Sequence, residues 1–244
     1  MKLKENTILI TGGSSGIGLA LMKQFHHLGN RVIIAARDID KLAEVKKSFP
    51  AVDIFPCDLT RQTDMDALTA FIKQRHPGLN VLINNAAVQY NYDFLNEGNI
   101  LDKIDYEINA NFTSTVKLCA LLLPVLITSE PSAIVNISSG LAISPKKSAP
   151  VYCGTKAAVH NFTKALRYQL ELTGIKVFEI LPPLIDTPMT EGRGKNKISA
   201  EQLVREFIRD FKNDRHESYI GKTKLLKLVS RLSPKLADQI LKNG

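Results

Sequence analysis

The chain of 244 residues contains no tryptophan and only three cysteines, Cys57, Cys119 and Cys153. The cysteines form no CxxC pair and have no histidine cluster nearby, which argues against both a disulfide framework and a zinc site. The five histidines also lack metal-ligand spacing, so we expect no bound metal. Unpaired, infrequent cysteines are typical of the reducing cytoplasm, and we predict that location.

The sequence also lacks the segments that carry a protein into or through a membrane. Met1 lies too close to the apolar run at residues 7–10 to leave room for a signal peptide. The longest apolar stretch, residues 118–127, is far shorter than the roughly 20 residues that span a bilayer, and it contains Pro124. We therefore predict a packed helix there and no stable membrane insertion.

The composition indicates neither disorder nor several domains. Hydrophobic residues make up 44% of the chain, and no tract is dominated by glycine, serine or proline. A chain of 244 residues can bury a full α/β core. We predict one domain over residues 1–244.

The net charge of +8 could indicate a nucleic acid, an acidic membrane surface or an anionic ligand as partner. Most of the excess lies in residues 221–244, which we call the basic tail, so the rest of the chain is only mildly basic and we expect no nucleic-acid partner. We predict an amphipathic tail helix that covers the core, with contact to a membrane surface as the alternative. The tail sets Lys222, Lys224, Lys227, Arg231, Lys235 and Lys242 against Asp238 alone.

Short aliphatic runs recur along the chain with room for a helix between them. This alternation predicts an α/β fold with a doubly wound parallel sheet and helices on both faces. Ligands of such sheets bind beyond the carboxyl ends of the strands, so we expect functional residues there. The six runs are residues 8–10, 32–36, 52–55, 81–83, 134–137 and 177–181.

The first predicted strand ends in a glycine-rich turn that opens directly into an amphipathic helix. Glycines let the backbone approach a pyrophosphate, and the N-terminus of a helix favours its negative charge. The turn therefore predicts a dinucleotide site, with a purely structural strand-to-helix turn as the alternative. The candidate residues are Gly12, Ser14, Ser15, Gly16, Ile17 and Gly18.

The glycine spacing resembles the TGxxxGxG motif of the short-chain dehydrogenases/reductases (SDRs), and further SDR motifs follow in order over residues 7–188. The resemblance implies a Rossmann-like fold and an oxidoreductase that interconverts a carbonyl and a primary or secondary alcohol with a nicotinamide cofactor. The matching residues are Asn84-Asn85-Ala86-Ala87 for NNAG, Tyr152 and Lys156 for YxxxK, and Ser139 thirteen positions before the tyrosine.

Arg37 follows the second predicted strand, where an arginine accommodates the 2′-phosphate of NADP and an acidic residue would bind the ribose of NAD. Arg37 therefore favours NADP(H). NAD(H) remains the alternative, because Ser15 stands where many NADP-dependent SDRs have a second basic residue. Asp58 matches the family residue that binds adenine; a helix N-cap is its alternative role. The resemblance adds Leu59, Asn85, Ala86, Pro182, Ile185 and Thr187 to the cofactor site.

The resemblance assigns Tyr152 as the acid/base. A tyrosine pKa near ~10 is too high for this work without help, and Lys156, one helical turn on, would stabilise the phenolate. Ser139 would hydrogen-bond the substrate oxygen, with Ser138 as the alternative. Asn111 matches the asparagine of the family's proton relay, whereas Asn109 is interpreted as incidental.

The chain departs from the SDR pattern after the sixth run. Pro183 replaces the glycine of PGxxxT, and the basic tail stands in place of the usual last strand, as in the DltE-type branch of bacterial oxidoreductases. Residues 182–199, which we call the lid, are predicted to be a mobile substrate lid. Its charges Arg193, Lys195 and Lys197 are interpreted as solvated, with an anionic substrate as the alternative.

Two other functions remain open: an extended-branch epimerase or dehydratase, and a catalytically inactive NADP(H) sensor. The short C-terminal region argues against the first, and the complete Ser, Tyr, Lys and Asn set against the second. The family also implies a homodimer or homotetramer, whose interface would be lined by Leu118, Leu121, Leu122 and Val125.

Overall fold

The structure is a computed structural model that describes residues 1–98 and 100–243. Its strands are β1 (Thr7–Thr11), β2 (Arg31–Ala36), β3 (Asp53–Pro56), β4 (Val81–Asn84), β5 (Ser132–Ile137), β6 (Ile175–Leu181), β7 (Ile185–Asp186), β8 (Ile198–Ser199) and β9 (Glu217–Tyr219). Seven of them form one parallel sheet in the order β3-β2-β1-β4-β5-β6-β9, while β7 pairs with β8.

The helices lie on both faces of the large sheet. They are α1 (Gly16–His27), α2 (Ile39–Ser48), α3 (Gln62–Arg75), α4 (Leu101–Ile108), α5 (Ser114–Leu126), α6 (Pro150–Gln169), α7 (Ala200–Lys212), α8 (Thr223–Leu232) and α9 (Pro234–Leu241). A π-helical turn (Asn109–Thr113) joins α4 to α5, and 3₁₀ turns span Gly140–Ala142 and Pro188–Thr190.

Alternate side chains of each strand enter two separate cores, as strand geometry requires. Ile8 and Ile10 of β1 pack with α1, α2 and α7, whereas Leu9 between them packs with α3, α5 and α6. The predicted doubly wound α/β fold is therefore confirmed. The strand order reverses between β1 and β4, and this is the point where such sheets bind ligands.

The expectation that the basic tail replaces the last strand is wrong. The strand β9 precedes the tail and pairs with β6, with Glu179 opposite Glu217 and Leu181 opposite Tyr219. The tail follows it as α8 and α9 and packs on the loop after β5, where the Ser144 hydroxyl donates to Asp238 at 2.6 Å. The tail therefore packs beside the last strand and over the loop after β5, where Leu226 and Ala237 are buried.

The helix that runs through α4 and α5, Leu101–Leu126, could cross a membrane if only its length and its apolar composition are considered. The apolar side chains of its α5 part instead enter the core against β4 and β5, whereas Leu101 and Ile108 of α4 are exposed. Leu118 and Leu122 are fully buried and Val125 is 8% exposed, so these three cannot line an interface with a second copy. That part of the predicted interface is wrong.

Candidate functional site

A cleft of about 490 Å³ opens at the carboxyl ends of the central strands. The wall of this cleft includes the glycine turn at one end and Tyr152 and Lys156 at the other. Of the predicted cofactor residues, only Gly18 and Ile185 lie behind the wall. The others line it: Gly12, Ser14, Ser15, Gly16, Ile17, Arg37, Asp58, Leu59, Asn85, Ala86, Tyr152, Lys156, Pro182 and Thr187.

The glycine turn is folded too tightly to hold side chains. Gly12 has φ +63°, and a Cβ there would lie 2.9 Å from Asn85 Nδ2 and 3.0 Å from Ala86 Cα. A Cβ on Gly18 would lie 2.2 Å from the Gly12 carbonyl oxygen, so α1 starts directly under the turn. This bare backbone beside a helix N-terminus fits a pyrophosphate.

The turn is held in place by the asparagine that follows β4. Asn85 Nδ2 donates to the carbonyl oxygens of Thr11 at 2.8 Å and Gly12 at 3.1 Å. The Thr11 hydroxyl accepts from the backbone N–H groups of Asn85 and Ala86. Asn84 instead donates to Asn136 at 2.8 Å inside the core. Asn85 thus shapes the cleft while Asn84 ties two strands together.

Two cations line the cleft beyond the end of β2. Arg37 donates to the Tyr106 hydroxyl, and its guanidinium carbon lies 5.6 Å from the centre of that ring. Lys41, which the sequence interpretation did not include, also lines the cleft. The carboxylate of Asp38 already has partners. It caps α2 by accepting from the backbone N–H of Lys41 at 3.0 Å, and it forms an ion pair with Lys41 Nζ at 3.0 Å.

Asp58 does not cap the helix that follows it. Its Oδ1 accepts from the Thr60 backbone N–H at 3.0 Å and from the Thr60 hydroxyl at 2.8 Å, whereas α3 begins after Arg61. The alternative role as an N-cap is therefore wrong. Leu59 lies beside it, 9% exposed, and both residues belong to the cleft wall.

Tyr152 and Lys156 lie one turn apart on α6 at the other end of the cleft. Lys156 Nζ is 5.6 Å from the centre of the Tyr152 ring and donates to the Ile137 carbonyl at 2.8 Å. Burial raises the pKa of Tyr152 above its ordinary value. Burial lowers the pKa of Lys156 to about 8, against the opposing effect of the Glu179 carboxylate. The lysine therefore changes charge near neutral pH.

The two candidate serines after β5 have different surroundings. Ser139 Oγ accepts from Leu141 N at 3.1 Å, and its proximity to the Tyr152 hydroxyl partly offsets the rise in the tyrosine pKa that burial causes. The Ser138 hydroxyl donates to the buried carboxylate of Glu179. Ser139 is therefore the serine that affects the tyrosine hydroxyl. Ser138 lines the cleft wall, where Ser139 does not, but its hydroxyl is engaged with Glu179.

Asn111 lies in the π-helical turn, a distortion that is frequent at functional sites. Its side chain exchanges hydrogen bonds with the backbone of Val88, at 2.8 and 2.9 Å, and also donates to the Thr155 hydroxyl at 3.1 Å. Asn111 thus connects the loop after β4 to α6. Asn109 donates to the Thr60 carbonyl at 3.2 Å, away from this group.

Sequence interpretation missed a buried acid behind Lys156. Glu179 of β6 is fully buried and contacts His160 Nδ1 with both carboxylate oxygens at 2.9 Å. An acidic residue inside the aliphatic run of β6 was the available signal. Glu107 was also missed; it is fully buried and accepts from the Tyr92 hydroxyl at 2.8 Å.

The match to known proteins agrees with this geometry. The family model described as short chain dehydrogenase matches residues 6–198. The chain belongs to the short-chain dehydrogenase family. It is therefore an oxidoreductase of that family, as the sequence resemblance implied.

Individual relatives support the same assignment. The DltE oxidoreductase of Bacillus subtilis (strain 168), described as uncharacterized, is 41% identical over 223 residues, which cover 89% of this chain and 88% of the relative. A short chain dehydrogenase of Burkholderia cenocepacia J2315 in complex with NADP has a TM-score of 0.89 at 22% identity, with full coverage of both chains. One from Sphingobium yanoikuyae in complex with NADPH has a TM-score of 0.80 at 26% identity over 96% of each chain. The likeness to DltE confirms the predicted branch.

Proposed function

We propose that this short-chain dehydrogenase interconverts a carbonyl and a primary or secondary alcohol with NADP(H). The observation that carries the proposal is the placement of the buried Tyr152 and Lys156 pair in the same cleft as the glycine turn. A proton-transfer pair and a dinucleotide cradle in one cleft suit hydride chemistry on an oxygen-bearing carbon. We further propose that residues 1–244 act as one domain.

The residues of the cleft fit the cofactor. The bare turn at Gly12 suits the pyrophosphate, and Asp58 and Leu59 suit the adenine. We assign Pro182 and Thr187 of the cleft wall, with Ile185 behind them, to the nicotinamide. When bound, the reduced nicotinamide supplies a hydride to the carbonyl carbon. The protein's own work is then to orient the substrate and to provide a proton.

The proton step is assigned to three side chains. The Ser139 hydroxyl hydrogen-bonds the substrate oxygen as negative charge develops there. The Tyr152 hydroxyl gives its proton to that oxygen, and the Lys156 ammonium stabilises the phenolate that remains. In alcohol oxidation the same groups work in reverse. Asn111 supports the relay by fixing α6 to the loop after β4.

The preference for NADP(H) rests on charge at the end of β2. Arg37 and Lys41 both line the cleft and can bind a 2′-phosphate through charge-assisted hydrogen bonds. Asp38, the carboxylate that could bind the ribose of NAD, is engaged with the start of α2. The relative from Sphingobium yanoikuyae, which was solved with NADPH, agrees with this preference.

Arg37→Gln should weaken NADPH binding about tenfold or more, because it removes a charge-assisted contact to the 2′-phosphate. The affinity for NADH, which lacks that phosphate, should stay within about twofold. Fluorescence titration of the purified variant with both cofactors checks this. Equal losses for NADPH and NADH would contradict the assigned role of Arg37.

The pKa of Lys156 predicts how activity depends on pH. As the pH rises through about 8, the ammonium loses its proton and can no longer stabilise the phenolate, so kcat/KM for carbonyl reduction should fall. In Lys156→Met the activity should be lower throughout and this inflection should be absent. Profiles of kcat/KM between pH 6 and pH 10 for both proteins test this prediction. If the inflection were unchanged in Lys156→Met, it would belong to a group other than Lys156.

We also propose a cytoplasmic location and a homodimer or homotetramer. Leu121 is half-buried on α5, with Phe112 and Phe162 on the neighbouring turn and helix, and we assign these side chains to such an interface. Light scattering at micromolar concentration tests the assembly. A monomer would contradict it.

A further inference from the structure

Arg193 of the lid and Lys146 of the loop after β5 lie close enough for their charges to interact, and within the described residues neither forms an ion pair. Arg193 reaches from the lid to the loop after β4, where Nη2 donates to the Gln89 carbonyl at 3.5 Å. Its other terminal nitrogen, Nη1, is fully buried and has no hydrogen-bond partner within residues 1–98 and 100–243. The interpretation of Arg193 as a solvated lid charge is therefore wrong.

Lys146 is the second cation. Its side chain is 9% exposed, and over the described part of the chain its ammonium group forms no ion pair or hydrogen bond. Burial lowers the pKa of Lys146, and the nearby positive charge of Arg193 lowers it further. Like charges in partly buried surroundings repel each other, and an anion bound between them would relieve that cost.

The nearby carboxylates do not fill that role. Glu107 accepts from the Tyr92 hydroxyl at 2.8 Å and from the backbone N–H of Tyr90 at 3.1 Å. Burial raises the pKa of Glu107, against the opposing effects of these hydrogen bonds and of the Arg193 and Lys156 charges. Glu179 lies behind Lys156, where Ser138 and His160 contact it. Within the described residues, neither carboxylate forms an ion pair with Arg193 or Lys146.

A further unsatisfied donor lies in the same region. The amide nitrogen Nε2 of Gln89 is buried and has no partner among the residues the structure describes. Arg193 is also close enough to Tyr152 for its charge to act against the rise that burial and neighbouring acidic groups cause in the tyrosine pKa. Gln89 follows Val88 of the cleft wall, and the backbone N–H of Lys146 donates to the sulfur of Cys153, next to Tyr152, at 3.4 Å, so these donors lie at the Tyr152 end of the cleft.

We propose that the substrate of this site carries a carboxylate, which Arg193 and Lys146 bind while Tyr152 acts on a carbonyl or hydroxyl group elsewhere in the same molecule. This inference rests on the proposed function and specifies its substrate class. The carboxylate supplies the missing acceptor for Arg193 Nη1 and relieves the repulsion between the two cations. Neutral carbonyl compounds leave both charges unpaired.

The test compares acids with their uncharged methyl esters. Acetoacetate, levulinate and succinate semialdehyde, each beside its ester, are titrated by calorimetry into the NADP⁺-loaded protein, where no turnover occurs. At least one acid should bind about tenfold or more tightly than its ester. The inference is overturned if acids and esters bind alike, or if no acid binds.

Variants locate the effect. Arg193→Gln and Lys146→Gln should each abolish the preference for the acid, whereas Lys195→Gln, which changes an exposed lysine of the same lid, should keep it. Loss of the preference in Lys195→Gln alone would contradict the assignment. Fluorescence titration with NADPH separates the two claims: absent NADPH binding defeats the proposed function, while intact NADPH binding without acid preference defeats only this inference.

Discussion

Tyr152→Phe should lower kcat for carbonyl reduction by about 10²–10⁴-fold, because the variant keeps the aromatic ring but loses the proton donor. The affinity for NADPH should change little, since the hydroxyl is not needed to hold the pyrophosphate or adenine. The ring is buried at one end of the cleft, so phenylalanine fits without a cavity. Steady-state kinetics together with NADPH titration measure both quantities.

The matched control for this substitution lies on the same helix. Tyr168 also belongs to α6 but is 65% exposed and far along the helix from the cleft. Tyr168→Phe should retain full activity. If Tyr152→Phe retained more than about a tenth of the wild-type kcat, a proton donor other than Tyr152 would have to be sought.

Gly12→Ala should weaken NADPH binding by about 100-fold or more. The added methyl group would meet Asn85 Nδ2 at 2.9 Å and Ala86 Cα at 3.0 Å, so the turn must open where the pyrophosphate is expected. Alanine also resists the φ of +63° at this position, at a cost of about 1–2 kcal/mol. Fluorescence titration and thermal unfolding of the same sample measure the two effects separately.

Gly29→Ala provides a matched control for the backbone strain. Gly29 has φ +81° at the far end of α1, and a Cβ there would have open space around it. This variant should lose a similar amount of stability but bind NADPH normally. If Gly12→Ala also bound NADPH normally, the glycine turn would not be the pyrophosphate site.

The features that were predicted from sequence are those that depend on neighbours along the chain. The β1 strand and the Gly12 turn are contiguous, and Tyr152 and Lys156 share one helix face because they are four residues apart. The β9 strand was missed because Glu217–Tyr219 contains no aliphatic run; it is defined by its pairing with β6.

Other parts of the site depend on contacts between distant segments. Arg193 in a charged, glycine-rich loop is typical of a solvated side chain, and only its approach to Gln89 reveals its burial. Lys41 stands in a polar helix, and its place in the cleft wall follows from how α2 packs beside β3. Glu179, in contrast, could have been found from the sequence. An acidic residue inside a buried strand is visible there, and burying its charge is costly unless a partner is present.

The central claim is that this cleft moves a hydride between NADPH and a carbonyl carbon. The most direct measurement incubates the protein with NADPH carrying deuterium on the transferred position and a panel of aldehydes and ketones that includes the three keto and aldehyde acids. Mass spectrometry of the products should find an alcohol with deuterium bound to carbon. NADPH that binds tightly while no carbonyl of the panel gains deuterium would contradict the account and favour a cofactor-sensing role.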